Sequence, residues 1–167
     1  MCVNAWCAGL KELENVRTRR CYRRGIEIPV DTQLHVFTDA SELGFGAVAY
    51  LRFVYAGDGV EVAFLMAKTH VAPVKKRTIP ELELKGACEG VDLARVIADE
   101  LQVDYRKVTF HTDSKTVMQW INSKTCKFNV FVGNKIGKIH RETEPEKWRH
   151  VKGLVNPALT CRRKWHY

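Results

Sequence analysis

The hydrophobic and polar positions alternate in a way that predicts a run of strands followed by helices. Leu34-His35-Val36-Phe37-Thr38 is rich in β-branched and aromatic residues and predicts a buried strand that ends at Asp39. The small and apolar residues 44–51 predict a second strand, and Ala56-Gly57-Asp58-Gly59 predicts a tight turn into a third over residues 60–67. Connections this short make the three an antiparallel meander. Thr78-Ile79-Pro80-Glu81 has the form of a capping box with proline in the first turn, and the helix it opens runs to about Leu101. Residues 107–111 predict a fourth strand, after which Ser114 caps a helix to Ile121. Phe131, Val132, Ile136 and Ile139 recur at helical spacing within residues 128–141, and residues 148–151 predict a fifth strand. The order βββ-α-β-α-α-β implies an α/β domain, a mixed sheet carrying helices.

Ahead of it, Trp6, Leu10, Leu13 and Val16 fall at helical spacing, and residues 17–24 hold five arginines before Pro29. Residues 1–30 therefore read as a connecting segment, one helix plus an Arg-rich linker, and residues 31–167 as the domain.

Composition narrows the class. A chain of 167 residues with 46% hydrophobic and 28% charged residues matches one ordinary globular domain, neither disordered nor fibrous. No run of apolar residues is long enough to span a membrane, and the first residues do not form a secretory signal. The expected location is intracellular, cytoplasmic or nuclear. The six cysteines form no C-x-x-C pair, so free thiols are expected in place of a zinc site or disulfide framework. The net charge is +8, and all of it resides in residues 124–167, where eleven basic side chains face three acidic ones. Positive charge gathered at one end points to a polyanionic partner, nucleic acid first.

The first predicted helix carries an unusual carboxylate. On a wheel of 100° per residue, Gly86, Ala87, Gly90, Ala94, Ile97 and Leu101 lie within about 60° of Glu83. It is the one charge centred on that apolar face, and a carboxylate placed there needs a cation, a proton or an escape to solvent. Glu81 is explained by its capping role. Asp39 and Asp113 each end a predicted strand, where aspartate commonly forms turns or caps helices. Taken with Glu83, however, they make three carboxylates able to converge, and such a cluster calls for a hard divalent cation, Mg²⁺ by oxygen preference. Two such ions clamp the attacking and leaving oxygens of a phosphodiester.

Phe37-Thr38-Asp39-Ala40-Ser41, Gly44-Phe45-Gly46-Ala47, Thr78-Ile79-Pro80-Glu81-Leu82-Glu83-Leu84 and His111-Thr112-Asp113-Ser114 resemble the ribonuclease H fold in that order. Ala67-Lys68-Thr69-His70-Val71-Ala72-Pro73, Trp148-Arg149-His150-Val151, Asn156-Pro157-Ala158 and the leading Trp6 with Arg20-Cys21-Tyr22 sharpen this to the BEL/Pao class of LTR retrotransposons. The resemblance implies a domain that follows a reverse transcriptase in a polyprotein and cleaves the RNA strand of RNA–DNA hybrids. It implies Asp39, Glu83 and Asp113 as catalytic and metal-binding residues, with two Mg²⁺ ions and Mn²⁺ as substitute. The family pattern continues Asn-Pro-Ala-Asp, whereas this chain reads Asn156-Pro157-Ala158-Leu159. With the fourth carboxylate absent and five residues after Arg162, the expectation is a missing or shortened C-terminal helix and reduced or lost activity. The alternative is an inactive module of the same fold that binds nucleic acid or protein. An integrase or transposase core expects a Glu about 35 residues after the second Asp; position 148 is Trp.

For the nucleic acid, Lys135, Lys138 and Arg141 recur at i, i+3, i+6 on the third predicted helix and form a candidate phosphate ridge. Lys75, Lys76 and Arg77 precede the N-terminus of the first helix, and Ser114 is a further candidate contact. Trp120 and His111 read as packed residues.

Overall fold

The computed structural model describes residues 21–23, 25–123 and 127–159. The helix expected within residues 1–30 and any C-terminal helix beyond Leu159 fall outside them. Among the described residues, no helix is long and apolar enough to cross a membrane, and Cys21 and Cys88 are free thiols.

Five strands, β1 (Asp31–Ala40), β2 (Gly44–Val54), β3 (Val60–Val71), β4 (Val108–Thr112) and β5 (Trp148–His150), form one sheet in the order β3-β2-β1-β4-β5. β1, β2 and β3 are antiparallel, while β4 and β5 run parallel to β1 and to each other. The β2–β3 turn uses Gly57 and Asp58 at positive φ, and Tyr55 N donates to Gly59 O at 2.8 Å. All three hairpin strands extend beyond their apolar runs, since ladder bonding continues where side chains turn polar.

Three helices, α1 (Ile79–Leu101), α2 (Lys115–Asn122) and α3 (Val130–Glu142), accompany the sheet. The capping box forms, with Thr78 N donating to Glu81 Oε2 at 3.1 Å and Pro80 in the first turn. α1 lies on β1 and β2, and Gly90 makes the close approach possible: a Cβ there would lie 2.6 Å from Thr38 Cγ2. Its buried surface is wider than the single arc around Glu83, because Leu84, Cys88 and Val91 are buried as well. Pairings between Cys88 and Lys135, Asp92 and Lys138, and Arg95 and Glu142 advance together along both helices, so α3 runs beside α1 in the same direction. The main core lies between sheet and helices, around Leu34, Val36, Leu84, Val91, Phe110 and Ile139.

The sheet's other face carries a ring ladder. His111 stacks on Phe37 with centroids 4.3 Å apart, Phe37 meets Tyr50 edge-on, and Tyr50 meets Phe64. Trp120 packs on the core and against Phe128, as expected of a packed residue.

Candidate functional site

Parallel pairing between β1 and β4 sets Thr38 opposite Thr112. The next residues, Asp39 near the end of β1 and Asp113 just past β4, therefore stand at the same end of the sheet on neighbouring strands about 4.8 Å apart. α1 delivers the third carboxylate to that end. A Cβ on Gly86 would lie 3.1 Å from Asp39 O, so this turn of the helix rests on the end of β1, and Glu83 stands one turn earlier.

Asp39 is buried, and its Oδ1 accepts from Ala40 N at 2.8 Å. Ser114 Oγ donates to Glu83 Oε2 and accepts from Val117 N at 3.2 Å, so one hydroxyl caps α2 and tethers α1 beside Asp113. Asp113 Oδ1 is buried with no hydrogen-bond partner. Its Oδ2 faces Gly153, where an added Cβ would lie 2.9 Å away.

A buried carboxylate oxygen that accepts nothing is costly, and a hard cation is the ligand that relieves it. The donor set fits such a cation in kind. In number it is sparse: among the described residues no three His, Cys, Asp or Glu side chains are grouped to hold a metal. Mg²⁺ is commonly held by one or two carboxylates, with water and substrate phosphate completing its shell, so a site built on Asp39 and Asp113 meets its needs. Leu159, where the resemblance expects an acid, is 8% exposed and packs as an apolar side chain.

The basic residues divide by position. Lys75 and Lys76 are exposed ahead of α1, at the Glu83 end. Arg77 is occupied, 3.6 Å from Glu81 Oε1 and with its guanidinium 4.3 Å from the Phe131 ring centroid. The expected ridge departs from the site: Lys138 donates to Asp92 Oδ2 at 2.6 Å, level with the middle of α1, and Arg141 is exposed one turn further on. At a rise of about 1.5 Å per residue, Asp92 stands roughly 13 Å along the axis from Glu83. Lys135 is half-buried on the same helix. Ser114 is buried and its hydroxyl is bonded to Glu83.

Two further cations lie outside the expected contacts. Lys85 holds its ammonium 4.7 Å from the Phe45 ring centroid, and Lys152 is exposed next to Gly153, which touches Asp113. Lys85 falls outside the apolar arc of α1 and Lys152 is one of the eleven basic residues of 124–167, so neither stands out in the sequence. His111 is the packed histidine expected. Burial, with the nearby His35 and Arg149, pushes its pKa down to about 4. Burial and Arg52 lower that of His35, whose Nδ1 lies 3.1 Å from His111 Nε2.

The sequence matches the family model described as the Pao retrotransposon-like RNaseH-like domain over residues 2–114. That span contains Asp39, Glu83 and Asp113 and ends one residue after the last of them. No curated protein matches the sequence. Among solved structures, the N-terminal RNase H domain of a Mycobacterium tuberculosis protein, solved as a maltose-binding-protein fusion, is 14% identical with a TM-score of 0.50, covering 75% of this chain and 86% of that one. LC11-RNase H1 in complex with an RNA/DNA hybrid is 12% identical with a TM-score of 0.49, covering 76% of this chain and 89% of that one.

Proposed function

We propose that this chain, which belongs to the Pao retrotransposon-like RNaseH-like domain family, binds RNA–DNA hybrids and retains a slow hydrolysis of the RNA strand that depends on a divalent cation. The observation that carries the reading is the orphaned Asp113 Oδ1 beside Asp39 at the ends of two parallel strands. Asp39 and Asp113 would hold the cation, Mg²⁺ or Mn²⁺. When bound, it would lower the pKa of a water and neutralise charge on the scissile phosphate.

The chain's own residues do the remaining work. Ser114 orients Glu83 toward that end of the sheet by a hydroxyl–carboxylate hydrogen bond. Lys75 and Lys76 ahead of α1, Lys85 over Phe45 and Lys152 next to Gly153 would hold the phosphates of a duplex without reading bases. Leu159 offers no oxygen where the family pattern has an acid, so a second ion would lack a ligand and turnover would fall by orders of magnitude.

The test is cleavage of a labelled hybrid in Mg²⁺ and in Mn²⁺, with Asp39→Asn as control. Weak cleavage abolished by the substitution is the expected result. Hybrid binding without cleavage in either metal would favour the second reading, a binding module that has lost catalysis, for which Leu159 is the specific observation. Absence of hybrid binding would reject both. Placement after a reverse transcriptase in a polyprotein belongs to the same proposal and rests on family membership.

A further inference from the structure

The segment between β5 and Leu159 contacts both aspartate-bearing strand ends. Val151 N donates to Thr112 O at 3.0 Å, and His150 Nε2 lies 3.2 Å from Asp113 O. The β1–β4 ladder stops at Thr38 and Thr112, which would leave the Thr38 carbonyl at the end of its ladder. The buried Asn156 supplies the missing donor, its Nδ2 giving a 3.0 Å bond to Thr38 O while its Oδ1 accepts from Ala158 N. Between these anchors, Gly153–Val155 makes one 3-10 turn, with Asn156 N donating to Gly153 O at 3.1 Å. That turn presses Gly153 against Asp113. The Cβ position at Gly153 meets Oδ2 at 2.9 Å and the Asp113 Cβ and Cγ at 3.9 Å, and no other atom within 4 Å is nearer.

We infer that residues 150–156 form a positioning strap for the two aspartates, with Gly153 setting the Asp113 carboxylate and Asn156 holding the end of β1 that presents Asp39. The parallel ladder between the two strands stops at Thr38 and Thr112, so past it neither aspartate's backbone is held by the other strand and each carboxylate's rotamer must be set by other contacts. The strap fixes the ends by backbone and side-chain hydrogen bonds, and Gly153 closes one side of the Asp113 carboxylate by contact. A methyl group at Gly153 fits only if that carboxylate turns away or the turn lifts. Supporting shells of this kind decide how well first ligands are aligned. The inference rests on the reading that Asp39 and Asp113 hold the cation.

The experiment compares the full chain with Gly153→Ala and Asn156→Ala, and with Leu154→Ala, whose side chain is 87% exposed on the same turn. Two readouts are taken: the Asp113 carboxyl and Ser114 amide resonances at fixed pH without metal, and Mn²⁺ affinity by calorimetry. Gly153→Ala should move both resonances and weaken Mn²⁺ binding by about 10- to 100-fold. Asn156→Ala should weaken it by a smaller factor, and Leu154→Ala should change neither readout. Equal Mn²⁺ affinity in Gly153→Ala and the parent overturns the strap. Should the parent itself bind no Mn²⁺, the metal reading fails and the resonances decide alone. Unmoved Asp113 and Ser114 signals in Gly153→Ala would then overturn the strap, and moved signals in a protein of unchanged melting temperature would uphold it.

Discussion

Replacing Gly90 by alanine adds one methyl group at the tightest point between α1 and the sheet. The new Cβ would lie 2.6 Å from Thr38 Cγ2, 3.3 Å from Val36 Cγ1 and 3.7 Å from Ala47 Cβ. Ordinary carbon contacts are about 3.5–4.0 Å, so roughly 1 Å of displacement is required. Thr38 has no free movement to give. It is 1% exposed, and its Oγ1 donates to His111 O at 3.2 Å, a bond that a change of rotamer would break. Lifting the helix or breaking that bond costs about 1–3 kcal/mol either way. Alanine returns about 1 kcal/mol through helix propensity, leaving a net loss of up to about 2 kcal/mol. Gly133 in α3 supplies the contrast, because its nearest neighbour would be Phe128 Cβ at an ordinary 3.8 Å. Gly133→Ala should therefore stabilise by about 0.5–1 kcal/mol, the propensity gain alone. Urea denaturation of both variants measures the difference, and Thr38→Ser, which deletes Cγ2 and keeps a hydroxyl, should rescue Gly90→Ala in a double-mutant cycle. Equal shifts in the two glycine variants would refute the claim that Gly90 is held by space and not by backbone preference.

Ser114→Ala removes the cap of α2 and the tether of Glu83 together, and should cost about 1–3 kcal/mol in urea denaturation; Ser114→Thr should recover most of it. Leu159→Asp restores an acid at the position where the family pattern has one, and should raise Mn²⁺-dependent cleavage of a hybrid at least tenfold while lowering stability, since Leu159 is buried; unchanged cleavage would show that the absent acid is not what limits the rate. The folded chain resists protonating His111 until about pH 4, whereas an unfolded histidine accepts a proton near 6.5. The unfolded state thus binds more protons across that window, so stability falls as pH drops from 7 toward 4, by about 1–2 kcal/mol after allowance for the ring's partial exposure. Urea midpoints at pH 7 and pH 5 check this, and His111→Asn should shrink the difference.

How much of this was legible in the sequence follows from which signals are local. The strand and helix order could be read because each element carries its own period, and the capping box at Thr78 and Glu81 and the turn at Gly57-Asp58 are complete within four residues. Glu83 was legible too, because a helical wheel exposes a charge among Gly86, Ala87 and Gly90 without knowledge of what they pack on. Spacing alone did not reveal the partner of Lys138. An i, i+3, i+6 row looks the same whether it faces solvent or a neighbouring helix, and only the parallel course of α3 beside α1 brings Asp92 to it. Ser114 shows the same limit. As a cap its role is local, but its second bond reaches 31 residues back to Glu83.

Gly153 and Asn156 were the least legible, and their case shows what the site depends on. Nothing in Lys152-Gly153-Leu154 marks contact with a carboxylate forty residues earlier, since the constraint is one of space and leaves no periodic trace. Asn156 stood in a recognised run, yet its amide acts by completing a ladder 118 residues away. The family's acid would follow three residues after Asn156, and here that place is Leu159. The same short stretch therefore carries the Asn156 and Gly153 contacts on which the proposed strap rests and a leucine where the resemblance expects an acid. On the proposed reading, binding geometry and full catalysis separate in this chain: residues 150–156 would keep Asp39 and Asp113 aligned, whereas the buried Leu159 would offer a second ion no oxygen.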